Sequence, residues 1–93
     1  REKATKDKLR IFGAIAKAGA VVYIPDMNLL DLIIAANGET SGADLSNIKI
    51  LRTDGTIEFF NMKEALNRTD QKRVEFPKVY PGDIIRISFL EHL

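Results

Sequence analysis

The sequence predicts an α+β fold in which one main helix packs on a mixed β-sheet, in the order β-β-α-β-β-(short α)-β. Three observations predict it: an apolar helix that ends at Asn37-Gly38, an Asp54-Gly55 turn between two apolar runs, and a Pro81-Gly82 turn before the last strand. The length of 93 residues corresponds to one domain, since domains cluster near ~100–150 residues.

The chain divides into a charged N-terminal stretch, one domain and a short tail. Residues 1–8 contain almost no apolar side chains and are predicted to form a linker or arm. Residues 9–90 carry the predicted strands and helices. Residues 91–93 belong to a sequence similar to an affinity-tag junction, and we expect them to be a non-native tail. Because the chain begins at Arg1 rather than Met, we expect a fragment of a longer protein.

The composition argues against several kinds of chemical site. The chain has no cysteine, which excludes disulfides, thiolate metal sites, iron–sulfur clusters and cysteine nucleophiles. Since His92 is the single histidine, multi-histidine metal sites and a Ser-His-Asp triad are not expected. We therefore predict no cofactor, no metal and no enzymatic activity.

Charge and hydropathy give no general attraction to nucleic acid or to membranes. The net charge is +1, aromatic residues make up 8% of the chain, and tryptophan is absent. Neither an electrostatic nor a base-stacking surface for nucleic acid is therefore expected. No apolar run approaches the ~18–20 residues that a membrane-spanning helix needs.

The first predicted unit is a β-hairpin. Leu9–Ala16 alternates with period two, as a half-buried strand does, and Gly13 within it indicates a bulge or a close backbone approach. Ala18-Gly19 provides a tight turn, because Gly19 can adopt positive φ. The β-branched and aromatic run Ala20–Ile24 is the returning strand.

The second unit is the main helix. Asn28 is a suitable N-cap, and Asp31 stands at the third helical position, where a carboxylate can accept from free backbone N–H groups. Apolar residues occupy most of the helix circumference, so we expect the helix to be largely covered. Asn37-Gly38 is predicted to form a left-handed C-terminal cap.

The third unit is a second hairpin followed by a short helix. Residues 38–46 are predicted to be a loop, and Ile48–Arg52 the next strand. Asp54-Gly55 fits a type I′ turn, which returns the chain along Ile57–Phe60. Asn61 is then expected to cap a short helix that ends at Leu66.

The C-terminal part is predicted to hold a loop, an edge strand and the closing strand. Residues 68–73 are polar and form the loop, and Val74 and Phe76 belong to the edge strand. Pro81-Gly82 fits a type II turn. Ile84–Phe89 is the closing strand, with Ile85, Ile87 and Phe89 on one face and Arg86 and Ser88 on the other.

Four motifs of this chain occur in a characteristic order. The segments are Gly13–Gly19, Leu29–Gly38, Asn47–Gly55 and Pro81–Ile87. They resemble the pattern of the SLBB (soluble ligand-binding β-grasp) domain family. That pattern reads Gly-x-Val-x-x-Pro-Gly, then a Leu-Leu-Asp-Ala-Ile-like helix ending in Ala-Gly-Gly, then x-Ile-x-Arg-x-Asp-Gly, and last Pro-Gly-Asp-x-Ile-x-Val. The resemblance covers roughly residues 9–89.

The chain departs from the family pattern at two positions. Ala18 replaces the proline, and Asn37 replaces the first glycine after the helix. Asn tolerates the left-handed region, so the helix cap is expected to survive. The resemblance implies a β-grasp fold (a ubiquitin-like roll), in which the last strand enters the middle of the sheet parallel to the first.

The resemblance also implies a function. SLBB domains are best known from Wza-like polysaccharide export proteins, which are periplasmic or outer-membrane oligomers whose domains stack in rings around a conduit. It therefore implies a non-catalytic assembly domain of an envelope protein, whose partners are neighbouring copies. SLBB domains also occur in the NADH-binding subunit of respiratory complex I and in cobalamin-carrier-like proteins. The alternative is thus a soluble small-molecule or carbohydrate-binding module of another envelope or cytoplasmic protein.

Five residues are candidates for ligand binding: Tyr23, Arg52, Asp54, Tyr80 and Asp83. Arg52 with Asp54 suits an anion or a sugar hydroxyl, or else forms a solvated pair at a strand end. Asp83 suits a ligand or a cation, or else accepts hydrogen bonds within its own turn. Tyr23 and Tyr80 suit stacking on a sugar ring, or else pack half-buried with a solvated hydroxyl.

Other classes of function fit the sequence less well. A sulfur carrier or ubiquitin-like modifier needs a C-terminal Gly-Gly, whereas this chain ends in Glu91-His92-Leu93. An electron carrier of the plant-ferredoxin type requires cysteines. The loop Gly38–Gly42 follows a helix and lacks Gly-Lys-Ser/Thr, so we do not expect a phosphate loop; it remains a possible element of a sugar site.

Overall fold

The structure is a computed structural model that describes residues 7–67 and 75–90. It is an α+β fold with a mixed five-stranded sheet and two helices, which confirms the predicted order of elements. Among the described residues, neither helix is long and apolar enough to cross a membrane. The elements are β1 (Lys8–Gly13), β2 (Gly19–Val22), α1 (Leu29–Ala35), β3 (Ala43–Leu51), β4 (Ile57–Phe60), α2 (Met62–Leu66) and β5 (Ile84–Phe89).

The strand order in the sheet is β2-β1-β5-β3-β4. β1 and β5 run parallel, whereas β1–β2, β3–β4 and β3–β5 are antiparallel. Ile85 of the central strand β5 lies opposite Ile11 of β1 on one side and Ile50 of β3 on the other. The last strand therefore joins two hairpins into one sheet, and the two edges are formed by β2 and β4.

One face of the sheet is buried against α1. Strand residues alternate in direction, so every second side chain enters the core. The sheet contributes Leu9, Ile11, Ile48, Ile50, Ile85 and Ile87, and the helix contributes Leu29, Leu32 and Ile33. Each fully buried aliphatic side chain of this kind stabilises the fold by about 1.5–3 kcal/mol relative to an exposed one. The core thus holds the helix on the sheet.

The predicted caps of α1 are present at both ends. The Asn28 Oδ1 accepts from the Asp31 N–H at 2.9 Å, and the Asp31 carboxylate accepts from the Asn28 N–H at 3.1 Å. At the C-terminal end, Asn37 and Gly38 have φ of 69° and 85°. Ile34, however, is 64% exposed, because α1 has the sheet on one side only. The expectation that the helix is largely covered was too strong.

The two strands of the first hairpin are shorter than predicted. β1 ends at Gly13 rather than Ala16, and β2 ends at Val22 rather than Ile24. The cause at the end of β1 is Gly13, whose φ of 97° turns the chain away from the extended path. Ile15 then forms a single bridge with Glu39 instead of continuing the strand.

The second hairpin differs from the prediction at its turn. The Gly55 N–H donates to the Arg52 carbonyl at 3.0 Å, and Gly55 has φ of 91°. Asp54 does not have positive φ, which a type I′ turn requires. The turn is therefore a type I turn followed by a glycine in the left-handed region, and the type I′ prediction was wrong. The Asp-Gly pair fits both turns, since each needs the glycine.

β3 is longer than predicted at its N-terminal end. It begins at Ala43, within the expected loop, and ends at Leu51. Ala43 pairs with Phe89 of β5, and the register shifts between Ala43 and Ile48. An irregular strand of this kind carries no period-two pattern, so the sequence indicated a loop there. Phe89 is exposed rather than buried with Ile85 and Ile87, and it lies beyond this irregularity.

The described part of the predicted edge strand, Phe76, does not lie in a strand. Phe76 lies in irregular chain, where its ring packs edge-to-face against Phe60 with centroids 5.8 Å apart. The short helix α2 is present, with the Asn61 Oδ1 accepting from the Glu64 N–H at 2.9 Å. The predictions for Val74, for the loop 68–73, for most of the arm and for the tail 91–93 lie outside the described residues.

Gly13 is the position where the backbone tolerates no side chain. A Cβ at Gly13 would lie 2.0 Å from the Ile87 carbonyl oxygen of β5, and its φ is 97°. Gly55 has φ of 91°, but a Cβ there would meet no atom within 4 Å. The two glycines share a similar backbone requirement and differ in the space around them.

We predict that Gly13→Ala lowers the free energy of unfolding by about 3–5 kcal/mol, because the clash with backbone adds to the φ strain. Gly55→Ala should lower it by about 1–2 kcal/mol, the cost of strain alone. Urea unfolding of both variants measures the difference. Equal losses would contradict the close approach of β1 to β5.

Candidate functional site

Three of the predicted ligand-binding residues meet at one end of the sheet. Leu51 at the end of β3 pairs with Ile84 at the start of β5. The residues just beyond this pair, Arg52 and Asp83, are therefore brought side by side from positions far apart in sequence. Tyr80 joins them through the turn that precedes β5. Arg52, Glu58, Tyr80 and Asp83 are called the Arg52 cluster below.

The turn before β5 positions Asp83. The Asp83 N–H donates to the Tyr80 carbonyl at 3.1 Å, and Gly82 has φ of 89°, as a type II turn requires at its third position. Pro81 precedes Gly82 and presets the backbone for this turn. The predicted turn is thus present, and it directs the Asp83 side chain toward the end of β3.

Asp83 is the single buried charged residue among those described, with 2% of its surface exposed. Its Oδ2 accepts from the Tyr80 backbone N–H at 2.9 Å and from the Arg52 Nη1 at 2.6 Å. A buried carboxylate is costly unless it is paired and hydrogen-bonded. These two donors supply that compensation.

Arg52 uses its guanidinium to join three parts of the chain. Besides Asp83, its Nη1 donates to the Lys78 carbonyl at 3.1 Å, and its Nη2 donates to the Glu58 carboxylate at 2.9 Å. The guanidinium carbon also lies 5.8 Å from the centroid of the Tyr80 ring. The hydrogen bonds of the Arg52 guanidinium therefore link the ends of β3 and β4 to the segment before β5.

The electrostatics of the cluster keep Arg52 charged. Burial favours the neutral guanidinium, but the hydrogen bonds from Arg52 to Glu58 and Asp83, with their negative charges, outweigh it and raise the pKa of Arg52 above its ordinary value. Arg52 is thus held as a permanent cation between two carboxylates. Chemically, the arrangement can hold the Tyr80–Asp83 turn against the end of β3. The parts of the cluster that face solvent are the Glu58 carboxylate and the Tyr80 ring.

The other two predicted residues lie apart from the cluster. Asp54 accepts from the Thr56 N–H at 2.9 Å within the hairpin turn. Tyr23 follows β2, where its N–H donates to the Asp7 carbonyl at 2.7 Å and its side chain packs against the core. The predicted pairing of Arg52 with Asp54 is not among the ion pairs of the described residues; Arg52 pairs with Glu58 and Asp83 instead.

The loop Gly38–Gly42 lies at the other end of the sheet. Its Gly38 carbonyl accepts from the Ala16 N–H at 2.9 Å, and its Thr40 N–H donates to the Ala14 carbonyl at 3.1 Å. Both partners follow the end of β1, whereas the Arg52 cluster lies near the start of β1. The loop and the cluster therefore do not form one site.

Glu58 is the cluster member that the sequence reasoning missed. It stands in β4, and the Arg52 N–H donates to the Thr56 carbonyl at 2.8 Å across the hairpin. Glu58 is therefore the diagonal cross-strand neighbour of Arg52, a spacing at which opposite charges interact. The predicted hairpin already implied this cross-strand spacing. The sequence analysis nevertheless paired Arg52 with Asp54, which is closer in sequence.

Comparison with known proteins gives no identification. No protein-family model matches the chain, and no curated protein is detectably similar to it in sequence. Within residues 7–67 and 75–90, no group of three or more His, Cys, Asp or Glu side chains is placed to hold a metal ion. The protein is of the α+β class, with a mixed five-stranded sheet and a buried ion pair that joins two strands at one end of the sheet.

We predict that Asp83→Ala lowers the free energy of unfolding by about 2–4 kcal/mol, because Arg52 and the Tyr80 N–H lose their buried acceptor. Glu58→Ala removes the exposed partner of Arg52 and should cost below about 1 kcal/mol. A double-mutant cycle with Arg52→Leu, measured by urea unfolding, isolates the Arg52–Asp83 coupling. A coupling energy near zero would contradict a stabilising role for the Arg52–Asp83 pair.

Two exposed carboxyls give a testable pH dependence. Hydrogen bonds from the side chain and backbone of Ser46 lower the pKa of Asp44, and those from Thr56 lower the pKa of Asp54. A depressed folded-state pKa contributes stability that is complete above the unfolded value of ~3.9 and is lost as pH falls through the folded value. Carbon-detected NMR titration should place both midpoints below ~3.9. Midpoints at or above that value would contradict these hydrogen bonds in solution.

Proposed function

We propose that this chain is a β-grasp domain of the SLBB type and a non-catalytic assembly domain of a polysaccharide export protein. The observation that carries the proposal is the strand order β2-β1-β5-β3-β4, with the last strand parallel to the first at the centre of the sheet. This is the arrangement that the sequence resemblance implied. Two hairpins, a helix over one face and a central closing strand together support a grasp-like roll.

The two sheet edges support assembly between copies. β2 and β4 each have a side without a strand partner in the described sheet, and both carry exposed apolar residues, with Val22 on β2 and Ile57 and Phe59 on β4. An exposed edge is a template for pairing with another chain. Because the edges differ, pairing β2 of one copy with β4 of the next is head-to-tail, the type of contact that generates rings.

The Arg52 cluster supports an architectural rather than a catalytic role. Its buried carboxylate and its guanidinium are bonded to one another and to backbone groups of the same chain. A catalytic acid or base must instead reach a proton on a substrate. In the proposed parent protein, which lies in the periplasm or outer membrane, the cluster stabilises a domain that neighbouring copies contact around a polysaccharide conduit.

A carbohydrate-binding module is the second candidate, and the exposed ring of Tyr80 favours it. Tyr80 is 51% exposed while its backbone is held by Asp83. An exposed aromatic ring on a fixed backbone is a suitable platform for a sugar face. NMR titration with a panel of oligosaccharides distinguishes this candidate, because shifts confined to Tyr80 and Arg52 would favour it and a silent titration would remove it.

We predict that the intact parent protein fractionates with the cell envelope and that its copies are linked through the sheet edges. The chain has no cysteine, so Val22→Cys with Ile57→Cys, in a parent protein freed of any other cysteine, tests the contact with a short bis-maleimide cross-linker. The double variant should give a ladder of multimers in membranes. Each single variant is the control, since it lacks one of the two edges and should give no ladder. A soluble parent, or a double variant without a ladder, would contradict the proposal.

A further inference from the structure

The sheet face opposite α1 is a surface that the core does not use. We call it the open face and define it by the paired strand positions that alternate with the buried ones. No described element covers it. Its members are Lys8, Arg10, Phe12, Ala20, Val22, Lys49, Leu51, Ile57, Phe59, Ile84 and Arg86.

The open face is cationic although the whole chain is nearly neutral. The chain has 14 Lys and Arg, 13 Asp and Glu, and a net charge of +1. The cations of the open face are Lys8, Arg10, Lys49 and Arg86, and none of its paired positions carries an acidic residue. The charge is therefore segregated onto this face.

Two adjacent cations lie between two large apolar side chains in one row across the sheet. Across β1, β5, β3 and β4, one row reads Phe12, Arg86, Lys49, Phe59. Neighbouring strands are about 4.8 Å apart, so the row spans about 14 Å. The adjacent row on β5, β3 and β4 is aliphatic, with Ile84, Leu51 and Ile57.

The open face also contains two shallow grooves. One has a volume of about 340 Å³ and is lined by Phe12, Lys49, Leu51, Ile84 and Arg86. The other, of about 420 Å³, is lined by Lys8, Arg10, Ala20 and Ile84 together with Leu9, Gly82 and Asp83, whose carboxylate is already paired with Arg52. Ile84 lines both, so the grooves adjoin across β5. All four cations of the open face line one groove or the other.

We infer that the open face docks an acidic amphipathic helix of a partner protein. Carboxylates of such a helix would pair with Arg86 and Lys49, while its apolar side chains pack on the phenylalanines and the aliphatic row. A helix rises 1.5 Å per residue, so about ten residues span the 14 Å row.

The side chains of the open face distinguish this occupant from other polyanions. Sugar hydroxyls are bound by amide and carboxylate side chains, and the paired positions hold no Asn, Gln, Asp or Glu. Single-stranded nucleic acid stacks successive bases on aromatic rings. Here the two rings of the row are separated by two cations and flanked by aliphatic side chains, which suits apolar protein side chains better. The inference depends on the open face alone, and it stands whether or not the parent exports polysaccharide.

The test is a peptide selection on the full chain. A random library of 16-residue displayed peptides is selected against the wild-type chain, and the enriched peptides are then measured by isothermal titration calorimetry. We expect net negative sequences with apolar residues at helical spacing, and an affinity that weakens with added salt. The double variant Lys49→Glu with Arg86→Glu should bind them at least about ten-fold more weakly.

The matched control is Lys17→Glu with Lys63→Glu, which makes the same charge change at exposed positions outside the open face. Its affinity for the enriched peptides should stay within about two-fold of wild type. Enriched peptides that are neutral or basic, or that bind both double variants equally, would overturn the inference. So would tighter binding of oligo(dT) or phosphatidylglycerol vesicles at the open face, or a wild-type dimer that the Lys49→Glu, Arg86→Glu variant dissociates.

Discussion

The parallel pairing of β1 with β5 is the contact on which the rest of the structure depends. β5 lies between the two hairpins and pairs with β1 on one side and with β3 on the other. The pairing is close enough that the chain needs a glycine at position 13, where the Ala14 N–H donates to the Ile87 carbonyl at 2.7 Å. Without this pairing, the buried faces of Ile11 and Ile85 would not form one surface for α1.

The Arg52 cluster fixes the same strand at its other end. The close contact at Gly13 holds the C-terminal part of β5 to β1. The Arg52–Asp83 pair holds the turn before β5 to the end of β3. A buried ion pair is weak evidence for net stability, because desolvation offsets much of its attraction. Its contribution is better understood as geometric, since Asp83 finds both of its donors only when the Tyr80–Asp83 turn and the end of β3 are in register.

The elements that the sequence predicted well are those with local chemical signals. Asn28 with Asp31, Asn37-Gly38 and Pro81-Gly82 each specify a cap or turn from neighbouring residues, and each is present. The differences arise where long-range pairing decides: β3 gains residues from Ala43 because Phe89 is there to pair with it. In the candidate site, Arg52, Tyr80 and Asp83 were found by residue type, but Glu58 required the hairpin register.

The central position of β5 has a consequence for how the protein is made. The chain emerges N-terminus first, whether from a ribosome or from a membrane translocon, so both hairpins and α1 emerge before the strand that must lie between them. Until residues 84–89 are available, β1 and β3 each keep an edge that faces no partner, and the aliphatic core stays accessible to water. The unpaired edges of such an intermediate can pair with strands of other incompletely folded chains. In a longer protein, the speed at which the C-terminal strand emerges thus governs how long each molecule remains prone to misassembly.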